Sequence, residues 1–264
     1  MSEEQINPRD PGARLGAMLA LGIVAAGFVI AAAIYFRHGG TETDDLSPQE
    51  TAQVQEIIRD YVSDHPEVVE EGLKNLMQTR RAAEEERLKL NIRALGKDLK
   101  EDPGSPVANP DGEVTVVEFF DYECPYCKGL APKLHKLINE DKSVRFVFKE
   151  FPLLTKVSKF AARAALAARK QDKYLDFHFA LMGVRGQMNE RLVLAAASEA
   201  GIDIERLKND MNDPEIDQIL ARNSRLAQGL GIDGTPAFVI GDTLIPGAAD
   251  IPYLKSVIEK ARES

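Results

Sequence analysis

Residues 119–128 read FFDYECPYCK, from Phe119 to Lys128. This stretch holds the only two cysteines of the 264-residue chain, Cys124 and Cys127, with Pro125 and Tyr126 between them. Just upstream, Val114–Phe120 is a nearly continuous apolar run of strand length with Glu118 inside it; such runs are usually strands buried on both faces. Just downstream, the chain from Cys124 toward Asn139 has a helical pattern, and Pro125 suits a first helical turn. The pair is therefore expected where a buried strand passes into the N-terminus of a helix.

That placement has a chemical use. The first turn of a helix leaves backbone N–H groups without partners, and the helix dipole is positive there. Both favour a thiolate, and the thiol pKa of such motifs falls from about 8.5 to roughly 3.5–7.5. A thiolate attacks a disulfide, and a second cysteine three residues on resolves the mixed disulfide. Cys124 is the expected nucleophile and Cys127 the resolver. Pro125 and Tyr126 tune the thiolate, and Lys128 adds positive field. Three other uses compete. A structural disulfide would close a tiny loop and constrain little of the unfolded chain. Zinc needs two further ligands, but His38, His65, His135 and His178 are scattered along the sequence. Copper(I) held by the dithiol is the remaining alternative. No cofactor and no resident metal are read from the chain.

Working outward, Glu101–Gly112, EDPGSPVANPDG, is rich in turn formers and reads as a domain boundary. Val144–Phe151 reads as a second strand of alternating character. Residues 158–230 are helical in pattern and Ala-rich. Ala237–Gly241 and Thr243–Ile245 read as short strands about the turn signal Gly241-Asp242, and Ile251–Arg262 as a closing helix. Strand, helix and strand make a right-handed parallel unit; the hairpin and last helix complete a thioredoxin-like α/β fold with a helical insertion, over 113–264.

The N-terminal half is of another kind. Leu15–Phe36 carries no charge; as a helix at about 1.5 Å per residue it spans roughly 33 Å, enough for a hydrocarbon core of about 30 Å. Arg9 and Arg14 before it favour a cytoplasmic N-terminus, so 15–36 is expected to be a single-pass inner-membrane anchor with the rest of the chain in the periplasm. A cleaved signal ending near Ala31-Ala32-Ala33 is the competing reading. Ser47-Pro48-Gln49-Glu50 has the form of a capping box, and Pro66 opens a second helix capped by Asp64 or His65. Val54, Ile57, Ile58, Tyr61 and Val62 share a helical face. Val69, Leu73 and Leu76 continue a stripe, and Leu88, Ile92, Leu95 and Leu99 recur at helical spacing. Residues 47–100 are thus a helical arm whose stripes pack on their own domain or join a second copy.

The net charge of -9 and pI near 5.1 argue against nucleic acid as a partner. Phe119, Phe120 and Tyr122 read as core and rim packing, His178 as a packing or surface residue, and Lys149-Glu150 as solvated or close to Glu118. Pro132 is expected to bend the active-site helix.

FFDYECPYCK, Gly234-Thr235-Pro236-Ala237 and KQDKYLDFHFALM (170–182) together resemble the DsbA-like thiol–disulfide oxidoreductases of bacterial envelopes. Ile57–Tyr61 and His65–Val68 resemble the N-terminal arm of the copper-sensitivity suppressor C type. The resemblance implies that Pro236 is a cis-proline facing the cysteines and that Thr235 offers backbone groups to a substrate strand. It also implies that Glu118 is a buried acid taking the proton of Cys127, and that the arm makes a homo-oligomer. Protein thiols or disulfides would be the substrates, and a membrane redox partner would recharge the pair.

Overall fold

The computed structural model describes residues 47–263; the expected membrane anchor at 15–36 lies outside them. No helix among the described residues is long and apolar enough to cross a membrane. The chain divides into two compact units at Gly72.

In the first unit, α1 (Pro48–Asp64) begins with the expected capping box. The Ser47 hydroxyl accepts from the Glu50 amide at 3.3 Å, and the Glu50 carboxylate accepts from the Ser47 amide at 3.0 Å. His65 separates α1 from α2 (Pro66–Ala94). Val54, Ile57, Ile58, Tyr61, Val68 and Val69 all lie exposed.

The second unit is built on a five-stranded sheet of order β1-β3-β2-β4-β5. Its strands are β1 (Val107–Ala108), β2 (Val114–Phe120), β3 (Val144–Glu150), β4 (Ala237–Ile240) and β5 (Thr243–Pro246). β2 and β3 run parallel, joined by α4 (Pro125–Glu140); all other neighbours are antiparallel. The insertion consists of α5 (Lys156–Ala168), α6 (Tyr174–Gly183), α7 (Glu190–Glu199), α8 (Ile204–Asp210) and α9 (Pro214–Gly229), and α10 (Ile251–Arg262) closes the chain. Thr155, Asn189, Asp203, Asp213 and Asp250 cap their helices with side-chain oxygens. This is a thioredoxin-like α/β fold with a helical insertion.

Each sheet face has its own core. Val116, Phe120, Phe146 and Phe148 pack with α4, α5 and α6, whereas Val117, Phe119, Val147 and Val239 pack with Leu226 and Leu230 of the α9 region. Ile92 of α2 and Leu99 of α3 (Gly96–Lys100) are buried in this second core, with Leu88 and Leu95 against it. The stripe 88–99 thus packs on its own domain.

Two expectations are corrected. Glu101–Gly112 contains a strand: β1 pairs with β3, and Gly104, Ser105, Pro106 and Ala108 are buried. Asn109, at φ 51°, turns the chain and donates to the carbonyls of Ile138 and Val144 at 2.8 and 3.1 Å. A Cβ on Gly112 would stand 2.4 Å from the Arg145 amide nitrogen, so only glycine lets the chain pass β3 there. Nor does β3 alternate: apart from Arg145, all its residues are buried. Lys149 and Glu150 point to opposite faces, and each finds polar partners inside.

Candidate active site

β2 ends at Phe120, and a short turn carries the chain into α4. The Asp121 carboxylate shapes that turn by accepting from the amides of Glu123 (2.7 Å), Leu153 (2.8 Å) and Leu154 (3.0 Å). The amide of Cys124 donates to the Asp121 carbonyl at 3.1 Å. Cys124 is the N-cap of α4, and Pro125 occupies its first turn. Both thiols are free, and both cysteines are buried. Cys127 has no exposed surface and Cys124 has 4%, so of the two residues only the first reaches the surface at all. Tyr126 is 70% exposed and points into solvent.

Across from the pair, the Thr235–Pro236 peptide is cis. Cys124 Sγ donates to the carbonyl oxygen of Thr235 at 3.1 Å. Pro236 is buried and Thr235 half-buried. The fold therefore joins residues more than a hundred positions apart, through the antiparallel pairing of β4 with β2.

Glu118 lies on β2 opposite Phe148 and is buried. Its Oε2 has no hydrogen-bond partner. Burial raises its carboxyl to about 8. Burial also pushes the Cys127 thiol up, and the negative field of Glu118 adds to that. Lys128 turns aside from the sulfurs: its ammonium donates to the Val184 carbonyl at 2.8 Å, and burial lowers its pKa.

A second set of buried groups was not legible as a site. Glu150 Oε1 accepts from the hydroxyls of Tyr122 and Tyr174, both at 2.8 Å. The Tyr122 hydroxyl also lies 3.1 Å from His178 Nδ1. Burial drives Glu150 well above the usual carboxylate range; the two hydroxyls oppose it, and the charges of Asp121 and Glu118 reinforce it. His178, pushed down to about 3 by burial and by nearby His135, stays neutral among Phe120, Phe148 and Phe179. The residue types gave no signal, since a Tyr or His on an apolar face most often only packs.

A strand-to-helix Cys-Pro-Tyr-Cys pair facing a cis-proline, on this sheet order, defines a protein of the thioredoxin class. Within it, the chain belongs to the DSBA-like thioredoxin domain family, whose model matches residues 115–259. A thioredoxin-like oxidoreductase from Silicibacter pomeroyi has a similar structure, with 48% identity and a TM-score of 0.62 over 64% of this chain and 98% of that one. A Proteus mirabilis ScsC variant, at 27% identity and TM-score 0.62, covers 84% of this chain and 99% of its own, so the likeness reaches into the arm. Disulfide bond formation protein D of Bacillus subtilis is 32% identical over 170 residues, 60% of this chain and 77% of that protein. The chain spans 24% of the length of the first curated relatives that it matches, sodium/proton antiporters of Salinispora.

Proposed function

We propose that this chain is a thiol–disulfide oxidoreductase acting on envelope proteins, with isomerisation its favoured direction. The observation that carries the reading is the Cys124 sulfur at the head of α4, 3.1 Å from the Thr235 carbonyl beside cis-Pro236. Nucleophile and substrate-binding backbone are then direct neighbours. A client chain pairs with the backbone at Thr235 and presents its disulfide to Cys124. The Cys124 thiolate attacks one client sulfur and expels the other as a thiolate. Isomerisation follows when a different client thiolate attacks the mixed disulfide and releases Cys124. If the client stalls, Cys127 gives its proton to Glu118 and attacks Cys124 Sγ. The client then leaves reduced, and the pair becomes a disulfide for a membrane redox partner to reset.

Isomerisation is favoured by two features. Thr235 stands before the cis-proline, and in the DsbA-like family that the chain resembles Thr at this place is more typical of isomerases and reductases. The arm exposes an apolar stripe suited to a second copy of the chain, and joined copies would hold a misfolded client between their sites. Residues 15–36 would anchor the assembly in the inner membrane with the catalytic domain in the periplasm; the family resemblance and the uncharged run support that placement.

The test is a pair of variants. Cys124→Ala abolishes turnover of a scrambled test protein, and Cys127→Ala accumulates mixed disulfides visible on non-reducing gels. Wild-type turnover by the Cys124 variant would overturn the assignment.

A further inference from the structure

The exchange steps above use Cys124, Cys127, Glu118 and the backbone at Thr235. They leave unused the buried polar groups gathered around Glu150, on the same sheet face as Glu118. In the β2–β3 ladder Glu118 stands opposite Phe148, and Phe120 stands opposite Glu150. The two glutamates are therefore diagonal neighbours on the face covered by α4, α5 and α6. Lys149 looks the other way, toward Asp98, Asp102 and Ser105. The polar and titratable groups around Glu150 come from several elements. Glu118 is on β2, and Asp121 and Tyr122 are in the turn. Tyr174 and His178 are on α6, and Asn223 of α9 donates to the Glu150 carbonyl at 3.0 Å.

One of these groups lies in the turn that leads into the nucleophile. Tyr122 is 1% exposed and lies two residues before Cys124. The turn between them is held at two points. The Asp121 carboxylate ties it to residues 153–154 at the surface. The Tyr122 hydroxyl ties it inward, to Glu150 at 2.8 Å and His178 at 3.1 Å. Pinned on both sides, the turn delivers Cys124 to the helix cap with its sulfur against Thr235. Tyr174 donates to the same Glu150 oxygen at the same distance, but from α6, away from the turn. The two tyrosines thus load one acceptor equally, and only one of them is tied to the cysteine.

We propose that Glu150 is a positioning residue for thiol exchange: by holding the Tyr122 hydroxyl it fixes the Asp121–Cys124 turn, and with it the placement of the Cys124 sulfur against Thr235. Its kinetic consequence rests on the exchange activity proposed above; its effect on sulfur placement does not. Buried glutamate is suited to the task because a single oxygen can accept from both hydroxyls, whereas an apolar residue would remove that shared acceptor and leave the Tyr122 hydroxyl with His178 alone.

The experiment compares Tyr122→Phe, Tyr174→Phe, Glu150→Leu and Glu150→Gln in the full chain. It reads exchange kinetics, melting temperature, and the rate at which iodoacetamide alkylates Cys124, mapped by mass. Each Phe variant removes a hydroxyl from Glu150 and lowers the melting temperature by a similar amount. Tyr122→Phe lowers kcat about fivefold or more, the equivalent of a lost hydrogen bond, with KM within about twofold. It also speeds alkylation several-fold, because a loosened turn exposes the sulfur. Tyr174→Phe stays within about twofold in both readouts. Glu150→Leu follows Tyr122→Phe, while Glu150→Gln, which keeps an acceptor, stays near wild type. If Glu150→Leu does not fold, the two Phe variants decide alone. Equal effects of the two Phe variants on kcat and alkylation, or no change in alkylation with either, would overturn the assignment. A wild-type chain without exchange activity would sink the functional reading, and the alkylation comparison would still decide the positioning role.

Discussion

The negative field of Glu118, a buried carboxyl with no donor to its Oε2, helps to hold the Cys127 thiol above the ordinary range. A carboxyl at about 8 accepts the Cys127 proton only once it is ionised. Release of a client from the mixed disulfide is therefore expected to accelerate as pH rises through about 8, and Glu118→Gln to flatten that limb. Stopped-flow decay of a mixed disulfide measures it; an unchanged pH profile in the variant would exclude Glu118 as the acceptor. The same group bears on stability. The folded carboxyl lies above its ordinary value of 4.5, so between these values the folded state binds more protons than the unfolded one. Stability contributed by the neutral acid is complete below the lower value and is lost as pH climbs through the upper. Urea unfolding should show wild-type stability falling from pH 5 toward pH 8 by about a few kcal/mol more than that of Glu118→Gln.

Which parts of this arrangement can be read from sequence follows from how local their causes are. The cysteine pair, the helix that it heads, the parallel strand pair and the closing helix are signalled by neighbouring residues, and the structure carries them nearly to the residue. Glu118 stood out because a charge interrupts an otherwise apolar strand. Glu150 stays divided between solvent and a place close to Glu118, because Lys149 beside it makes the pair look like an exposed strand end; the structure puts Glu150 diagonal to Glu118. Only the third dimension shows one side chain turned to the tyrosines and the other to Asp98. β1 was hidden for a related reason: two residues among prolines and glycines carry no period, and their pairing with β3 is fixed by Asn109 and Gly112 contacts with distant backbone.

Lys149 should prove costly to remove. Its ammonium has no exposed surface and donates to the Asp98 carbonyl and the Ser105 hydroxyl, both at 2.8 Å, with Asp102 at 3.4 Å. Lys149→Met leaves those acceptors and a nearly buried Asp102 short of a donor, although Arg222 still reaches Asp102 at 3.3 Å. Breaking such a buried set is expected to cost about 3 kcal/mol. Burial lowers the Lys149 pKa to about 8 from 10.5, so in that interval the unfolded state binds the extra proton. The stability penalty of the buried charge is relieved as pH rises above about 8, and the variant lacks that rise. Denaturant titrations from pH 7 to 10 check both effects; a loss below about 0.5 kcal/mol would contradict the first.

Where α2 meets the catalytic domain, two adjacent residues should differ sharply. Ile92 is 1% exposed within the second core, so Ile92→Ala removes buried methyl groups and is expected to cost about 2–4 kcal/mol. Arg93 reaches Asp242 through Nε at 2.8 Å and Nη2 at 2.6 Å, but the two side chains remain 60% and 40% exposed. Solvent screens that pair, so Arg93→Ala should cost far less than Ile92→Ala, and less still at high salt. Thermal melts of both variants at low and high salt test the contrast; similar losses would mean that the ion pair, rather than the core, fastens this segment.

The exposed stripe of the arm should be covered by a second copy. Ile57 is 67% exposed, Ile58 56%, Tyr61 55%, Val69 54% and Leu73 50%. Helices whose apolar side chains face water gain little from burial within one chain, and large exposed apolar side chains in such number usually mark an interface. A fragment starting at Ser47 is expected to sediment as an oligomer. Ile57→Glu and Val69→Glu each place a charge on the stripe and should yield monomers, because an unpaired charge in an apolar interface is costly. The monomers should still reduce a single accessible disulfide, since Cys124 and Thr235 lie in the catalytic unit. They should lose most of their ability to rescue a scrambled protein that must be held while its pairing is revised. A fragment that sediments as a clean monomer, or a charge variant that rescues scrambled protein as well as the parent, would remove the physical basis for isomerisation and leave a monomeric exchanger.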